Sequence, residues 1–413
     1  MKRKNLIVIL VVCLIVSTSL LTFVIFPSFN KISENKKQKE YEKKLKDATI
    51  VVNLKKDLTS PFMETKKVSD FIEEINGEII DDYNIDTSKI GEQNIKFEYI
   101  NEDNIKIPYS YKINIKDEKP PVIWVNDTYS INTDYNGSLL EDILCADDYD
   151  DNPKCEIIGE YNTKKIGSYN LVFQATDASG NFTSKEFTLK VSPPSNDKAN
   201  NQTPTYTYFS DIVSKHKNDK TKIGIDVSSW QGDIDFQAVK EAGVEFAFIR
   251  VGSTRGIGGE YFIDKKFVQN IKGFNEVDIP VGIYFYTYAN SREAAINDAN
   301  WVLEQIKDYK IDLPIAYDWE SWSFYNEFHQ SFYSTSMNAK VFLDTIHNAG
   351  YNGLLYSSKK YLEQVWYDTG YEIWLAHYTS KTSYQGSYRY WQMCSNGRVN
   401  GINGNVDINI MYM

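Results

Sequence analysis

Three regimes of hydrophobic patterning follow one another along the chain. Residues 6–26 carry no charge, and only Ser17, Thr18, Ser19 and Thr22 interrupt their apolar run. At 1.5 Å per residue a helix of this length extends about 31 Å, close to the hydrocarbon thickness of a bilayer, so the pattern predicts a transmembrane anchor. A cleaved signal peptide is the competing reading, but its apolar stretch usually runs only about 7 to 15 residues and ends at an A-x-A-like site, which is missing here. Residues 1–29 are therefore expected to form a cytoplasmic tip and membrane span. Residues 30–47 (NKISENKKQKEYEKKLKD) lack an apolar stripe and predict a charged, solvated stalk.

From residue 48 to 192 the period changes to two. Residues 85–91 (IDTSKIG) recur as 161–167 (YNTKKIG), an offset of 76. At that offset Ile95 and Phe97 align with Leu171 and Phe173, and Tyr111, Ile113 and Ile115 with Phe187, Leu189 and Val191. Alternating apolar residues in short runs between Gly, Asn and Asp predict antiparallel strands with one buried face. Two all-β sandwich modules follow, at 48–117 and 118–192. Residues 193–221, with paired prolines and an Asn-rich polar run, read as a linker.

In residues 222–413 short apolar runs (223–227, 246–251, 281–288, 314–319, 353–356, 371–378, 388–393 and 406–411) alternate at first with helical patterns at 236–242, 265–277, 292–309 and 337–349. The last three runs are joined by turns too short for helices. The expected fold is an α/β TIM-like barrel of mixed (β/α)5(β)3 type.

Composition narrows the function classes. In 413 residues, 56 Asp and Glu outweigh 45 Lys and Arg, for a formal charge of -11. That balance argues against a protein that wraps nucleic acid, because phosphate neutralisation requires a basic face. The four His lack the H-E-x-x-H spacing of a zinc peptidase, Cys394 has no thiol-peptidase partner motif, and no cofactor or metal is called for. Cys145 and Cys155 flank the acidic run Asp147, Asp148, Asp150 and Asp151 and are expected to pair as a disulfide in an extracytoplasmic module. The run does not meet EF-hand spacing, so a solvated acidic loop is expected rather than a Ca²⁺ site.

The chemistry to weigh lies at the strand ends of the barrel. Asp226 closes the first apolar run, Asp318 and Glu320 close the fourth, and Asp407 begins the last. Residues two apart on a strand share a face, which places Asp318 and Glu320 about 6 to 7 Å apart. Carboxylates converging in this way suit glycoside hydrolysis, where one carboxyl must stay protonated and another ionised. Tyr286, Tyr356 and Trp374 are candidates for stacking on sugar rings, with ordinary core packing the competing reading.

The motifs Asp226-Val-Ser-Ser-Trp-Gln-Gly232, Phe246-Ala-Phe-Ile-Arg-Val-Gly252, Val281-Gly-Ile-Tyr-Phe-Tyr-Thr-Tyr-Ala289, Asp318-Trp-Glu320 and Val406-Asp-Ile-Asn409 resemble, in order, the signature of family 25 glycoside hydrolases. These are the Chalaropsis-type lysozymes, N-acetylmuramidases that cut the β-1,4 bond between N-acetylmuramic acid and N-acetylglucosamine in peptidoglycan. The resemblance implies Glu320 as general acid, Asp318 and Asp226 as partner carboxylates, Asp407 as a fourth pocket acid, and Gln392 as a pocket contact. Which acid acts opposite Glu320, and whether the intermediate is covalent or substrate-assisted, stays open. Residues 175–181 (ATDASGN) resemble the strand-turn of bacterial immunoglobulin-like surface repeats, which implies spacer modules. The expected partners are peptidoglycan glycan strands and, through residues 6–26, the lipid bilayer. The expected location is the cell membrane, single-pass, with the C-terminal domains facing the wall. A catalytically weak glycan-binding or surface-adhesion protein is the alternative, and it predicts loss of an acid, whereas all four are present.

Overall fold

The two alternating segments fold into sheets of the same strand order. In the computed structural model, which describes residues 38–194 and 205–413, the chain forms two compact units, 1–118 and 119–413. In the first, the antiparallel hairpin Gly91–Asn101 and Lys106–Lys116 lies between Thr59–Pro61 and Gly77–Ile79. In the second, the hairpin Gly167–Thr176 and Phe182–Ser192 lies between Thr128–Asn132 and Lys154–Ile158. Each sheet buries the alternating residues of its hairpin: Ile95, Phe97, Tyr99, Tyr111, Ile113 and Ile115 in one, and Leu171, Phe173, Ala175, Phe187, Leu189 and Val191 in the other. The turn between the second pair of strands is held by Asp177, whose Oδ1 accepts from the Asn181 amide at 2.8 Å, and by Gly180, whose φ of 89° is strained for any other residue.

These modules differ from the expected antiparallel sandwiches. Thr59–Pro61 pairs parallel to Lys106–Lys116, and Thr128–Asn132 parallel to Phe182–Ser192, because each short strand enters from the facing two-stranded sheet rather than from a hairpin. Residues 38–47 of the expected stalk are helical, and the Tyr41 hydroxyl donates to the Lys106 carbonyl at 2.7 Å.

The expected fold class is corrected at its N-terminal end. Among the described residues no helix is long and apolar enough to cross a membrane. The 17-residue helix Phe332–Asn348, for example, interleaves its apolar stripe with Ser, Asn, Lys and Asp. Residues 6–26, on which the anchor and the bilayer contact rested, lie outside the described residues.

The second unit is larger than expected, since it joins the 119–192 module to the barrel. Eight strands close the barrel: β1 (Thr221–Val227), β2 (Ala247–Thr254), β3 (Val281–Tyr286), β4 (Ile315–Asp318), β5 (Gly353–Ser358), β6 (Glu372–Ala376), β7 (Tyr390–Arg398) and β8 (Val406–Tyr412). The first seven are parallel, and β8 pairs antiparallel with both β7 and β1. Helices α1 (Phe236–Glu241), α2 (Phe267–Glu276), α3 (Arg292–Ile306), α4 (Phe332–Asn348) and α5 (Lys359–Gln364) follow the first five strands, and the last three strands run on without helices. At Gly224 a Cβ would lie 2.4 Å from the Phe246 carbonyl oxygen, so only glycine admits the close approach of β1 to the start of β2.

Half of the expected linker is structured. Thr207–Tyr208 pairs parallel with β7, and the helix Phe209–His216 buries Phe209 and Ile212 in the barrel core, because its apolar residues fall on one helical face. The acidic loop 147–151 is likewise only partly solvated, with Asp147 and Asp148 buried and Tyr149 and Asp151 exposed. The Asp147 and Asp148 carbonyls accept from the Phe332 and Tyr333 amides, and Asp151 Oδ1 accepts from Ser331 N at 2.6 Å. Module groups thus take up the unpaired N–H groups at the start of α4, where negative charge also complements the helix dipole.

Cys145 and Cys155 form a disulfide at a separation of 10 residues. Chain-entropy reasoning assigns such a loop about 3 kcal/mol. Replacing both by Ser is expected to lower the urea midpoint of the second unit accordingly, with a slope equal or steeper because the uncrosslinked denatured chain exposes more surface. A midpoint unaltered by the double substitution would show that the cross-link does not stabilise the module.

Candidate active site

Strand parity decides what faces the barrel interior. Ile223, Ile225 and Val227 of β1 pack outward against the helices with Ala247, Ile249 and Val251 of β2, Ile283 and Phe285 of β3, and Ile408 and Ile410 of β8. The intervening residues turn inward. Toward the amino ends of the parallel strands these are apolar: Phe246, Phe248, Ala316, Leu354 and Tyr390. Toward the carboxyl ends they become polar, and Asp226, Arg250, Tyr286, Asp318, Glu320, Tyr356, Tyr378, Gln392 and Asp407 line a bowl of about 270 Å³ with Trp230 at its edge. The bowl adjoins a cleft of about 570 Å³ that shares Glu320, Tyr356 and Tyr378 with it, so Glu320 stands where the two meet.

Register assembles the acids. Asp226 and Asp407 are direct partners across β1 and β8, because the antiparallel return of β8 brings its first residues to the carboxyl end of β1. Asp318, the last residue of β4, sits between Tyr286 on β3 and Tyr356 on β5. Two residues on, Glu320 is hydrogen-bonded with Asp318 and is exposed to solvent, while the intervening Trp319 turns away and is fully buried.

Asp226 is clamped. Its Oδ2 accepts from Asn409 Nδ2 at 2.7 Å and Gln392 Nε2 at 2.9 Å, two residues that are themselves register partners on β8 and β7. Both amides are oriented in turn: Trp374 Nε1 donates to Asn409 Oδ1 at 2.8 Å, and the Tyr356 and Tyr378 hydroxyls donate to Gln392 Oε1 at 2.8 and 3.1 Å. Each amide oxygen is thereby committed as acceptor, so each NH2 must point at Asp226.

Residues 225–402, which include all of this constellation except Asp407 and Asn409, match the sequence model described as glycosyl hydrolases family 25. The barrel is a family 25 glycosyl hydrolase domain. It is 30% identical over 188 residues to an autolytic lysozyme of Clostridium acetobutylicum, covering 45% of this chain and 54% of that protein. It is 25% identical over 212 residues to lysozyme M1 of Streptomyces globisporus, covering 45% of this chain and 66% of the relative. The chain thus spans about half the length of the clostridial relative. Among solved structures, the autolysin LytC of Streptococcus pneumoniae overlaps 58% of this chain and 56% of its own at 26% identity, with a TM-score of 0.42.

Burial raises the proton affinity of every acid in the family 25 bowl. The Asp226 carboxyl is pushed up to about 6 by burial and by the charge of Glu320, against the lowering effect of its two amide donors. Burial and the charges of Asp226 and Glu320 push Asp407 up to about 8. Asp318 is raised well above the usual carboxylate range, by burial and the adjoining Glu320, with Arg250 acting against both. Glu320 is raised by the burial of its carboxyl among the other acids, and its hydrogen bond with Asp318 acts the other way. Asp318 and Glu320 therefore form a coupled pair of raised proton affinity, while Asp226, at about 6, ionises below neutrality.

Asp407 makes a test of this field. Its folded value lies above its ordinary one, so the folded state binds more protons across that window and its contribution to stability is lost as pH rises from about 4 toward 8. Asp407→Asn is expected to raise the melting temperature at pH 8 more than at pH 4. An equal effect at both pH values would remove the charge explanation.

Among the expected sugar-binding residues the structure makes distinctions. Tyr286 remains half-buried at the bowl, 5.3 Å from the Tyr288 ring. Trp374 is buried, with one face stacked on Phe248 at 4.4 Å, and Tyr356 packs edge-on against it at 4.9 Å. Gln392 is also buried. All three also line the bowl, and through Asn409 and their own hydrogen bonds they orient Asp226. Sequence reasoning passed over several residues, among them Tyr378, which lines the bowl and donates to Gln392. Asn409 closes the clamp, and only its place in the last motif pointed to it. Arg250 binds Asp264 Oδ2 through Nη2 at 2.6 Å and lines the bowl. Trp230, 85% exposed, was legible as the large apolar residue of the first motif.

Proposed function

We propose that the chain is a peptidoglycan hydrolase of lysozyme type, an N-acetylmuramidase that cleaves the β-1,4 bond between N-acetylmuramic acid and N-acetylglucosamine. The observation that carries the reading is the hydrogen-bonded pair Asp318 and Glu320, open to solvent at Glu320, beside a separately clamped Asp226 in one bowl. Glu320 hands its proton to the leaving glycosidic oxygen, and the ionised Asp226 acts on the positive charge that develops at the sugar carbon. Asp318 holds Glu320 in place, and Asp407 remains protonated. The lysozyme relatives support the same substrate class.

The chain acts outside the cytoplasm, facing the wall, in local remodelling. The Cys145 to Cys155 disulfide supports that placement, since such bonds persist in oxidising compartments.

The test is digestion of purified peptidoglycan with the whole chain, followed by mass spectrometry of the new reducing ends. Reducing N-acetylmuramic acid is expected from the wild type and none from Glu320→Gln. Reducing N-acetylglucosamine would make the enzyme a glucosaminidase, and undigested wall would leave a binding or adhesion protein.

A further inference from the structure

We propose that the 119–192 module is a positioning element of the active site, which uses Trp124 and the loop 147–151 to hold the chain segment that follows Glu320. The inference rests on Glu320 being the proton donor.

The segment in question, residues 322–328, is a 3-10 turn interrupted at Phe324 and ended by His329 in the left-handed conformation at φ 49°. Such a segment has few backbone hydrogen bonds of its own and relies on outside contacts for its shape. Its first residue is tied to the acid, since Trp322 N donates to the Glu320 carbonyl at 2.7 Å. The Trp322 ring meets Trp319 edge-on at 4.5 Å and stacks on Tyr361 at 3.7 Å. Both flanks of Glu320 are thus set by where Trp322 lies.

The module holds Trp322 from behind. Trp124, on the strand Val122–Trp124, stacks on Tyr361 at 5.3 Å and on Phe332 at 6.1 Å, meets Trp322 at 6.3 Å, and carries the Lys360 ammonium 4.4 Å above its ring. Aromatic and cation–π contacts of this kind each add about 0.5 to 1.5 kcal/mol beyond area burial and are directional, so they define a position as well as an affinity. Asn326, in the middle of the segment, accepts from the Cys145 amide at 3.2 Å and donates to the Glu141 and Ile143 carbonyls at 2.9 and 3.0 Å. At the far end, the loop 147–151 takes up the Ser331, Phe332 and Tyr333 amides. The segment is therefore gripped by the module at its start, its middle and its end. A tethering module would need none of these contacts, and they fall on the connection that begins at the acid and on α5 and Tyr367 beside it.

The whole chain is compared with Trp124→Ala, Trp124→Phe and Asn326→Ala, with Phe173→Leu in the module's own core as the control for lost stability. Misplacing a catalytic group by about 1 Å costs up to about 100-fold, so Trp124→Ala is expected to lower kcat about 10- to 100-fold with KM nearly unchanged. The alkaline limb of its pH profile is expected to move to lower pH as the packing that crowds Glu320 loosens. Trp124→Phe is expected to restore most of kcat, and Asn326→Ala, which opens no cavity in the aromatic stack, to show the same changes in milder form even if Trp124→Ala fails to fold. Wild-type kcat and pH profile in Asn326→Ala and in any folded Trp124→Ala would overturn the proposal. So would equal kinetic changes in Phe173→Leu at a matched melting temperature. Either result leaves the acid assignment standing if Glu320→Gln is inactive, whereas a wild type whose activity does not depend on Glu320 sinks both.

Discussion

Glu320→Gln is expected to lower kcat on peptidoglycan about 10²- to 10⁴-fold, the range that a positioned general acid contributes. The substitution keeps the shape and a hydrogen-bonding group toward Asp318 but has no proton to give. Because Glu320 is exposed at the meeting of bowl and cleft, the fold does not depend on its charge, and substrate binding is expected to persist with KM nearly unchanged. Two readouts separate loss of proton donation from general damage. The alkaline limb of the pH profile, which in the wild type reports deprotonation of the Asp318 and Glu320 pair, should disappear. An aryl glycoside whose phenolate leaves without a proton should lose far less rate than the natural substrate. If both substrates lose rate equally, the group acts on binding or on the sugar carbon, and the proton donor must be sought in Asp318.

The strand elements of this chain were legible because hydrophobic period is a local property. The apolar runs at 223–227 and 406–411 lie within β1 and β8, and the alternation in residues 91–116 and 167–192 lies on the two long hairpins. The acids were legible because each interrupts an apolar run at its end, where an uncompensated carboxylate is costly. Other features rest on pairings across long stretches of sequence. Trp124 lies in a short apolar run of the second module, and nothing within 20 residues of it hints at Trp322 or Tyr361. The Asp run 147–151 reads as solvated until the start of α4, some 180 residues on, is known to be its partner. Trp374, Tyr356 and Gln392 carry the composition of a sugar platform, and only strand parity together with barrel closure shows that they also build the hydrogen-bond network around Asp226. The helix Phe209–His216 was hidden by the Pro- and Asn-rich residues before it, although its own spacing of Phe209, Ile212 and Val213 is amphipathic.

Asp226→Asn is expected to lower kcat about 10²- to 10³-fold, the effect of removing one preorganised electrostatic group from a transition state. Asparagine fits the clamp, because its own Oδ1 can accept from Asn409 Nδ2 and Gln392 Nε2 as the carboxylate does. The pocket geometry is therefore preserved while the charge is lost. Stability moves the other way. Burial holds the Asp226 carboxyl above its ordinary value, at about 6, so its contribution to stability has been lost once pH passes that value, and the neutral side chain should raise the melting temperature at pH 7. A more stable and nearly inactive variant is the signature of a charge kept for chemistry at the expense of the fold. The pH profile carries the decisive sign. If Asp226 must be ionised, wild-type kcat rises with pH through about 6, and this acid limb is missing from the residual activity of Asp226→Asn. Retention of the limb at the same pH would transfer it to another acid of the bowl. Asn409→Ala then tests the clamp itself: with one of two donors gone the carboxylate holds its proton more tightly, and the acid limb should move to higher pH. A limb that stays in place would mean that the amides orient Asp226 without tuning its ionisation.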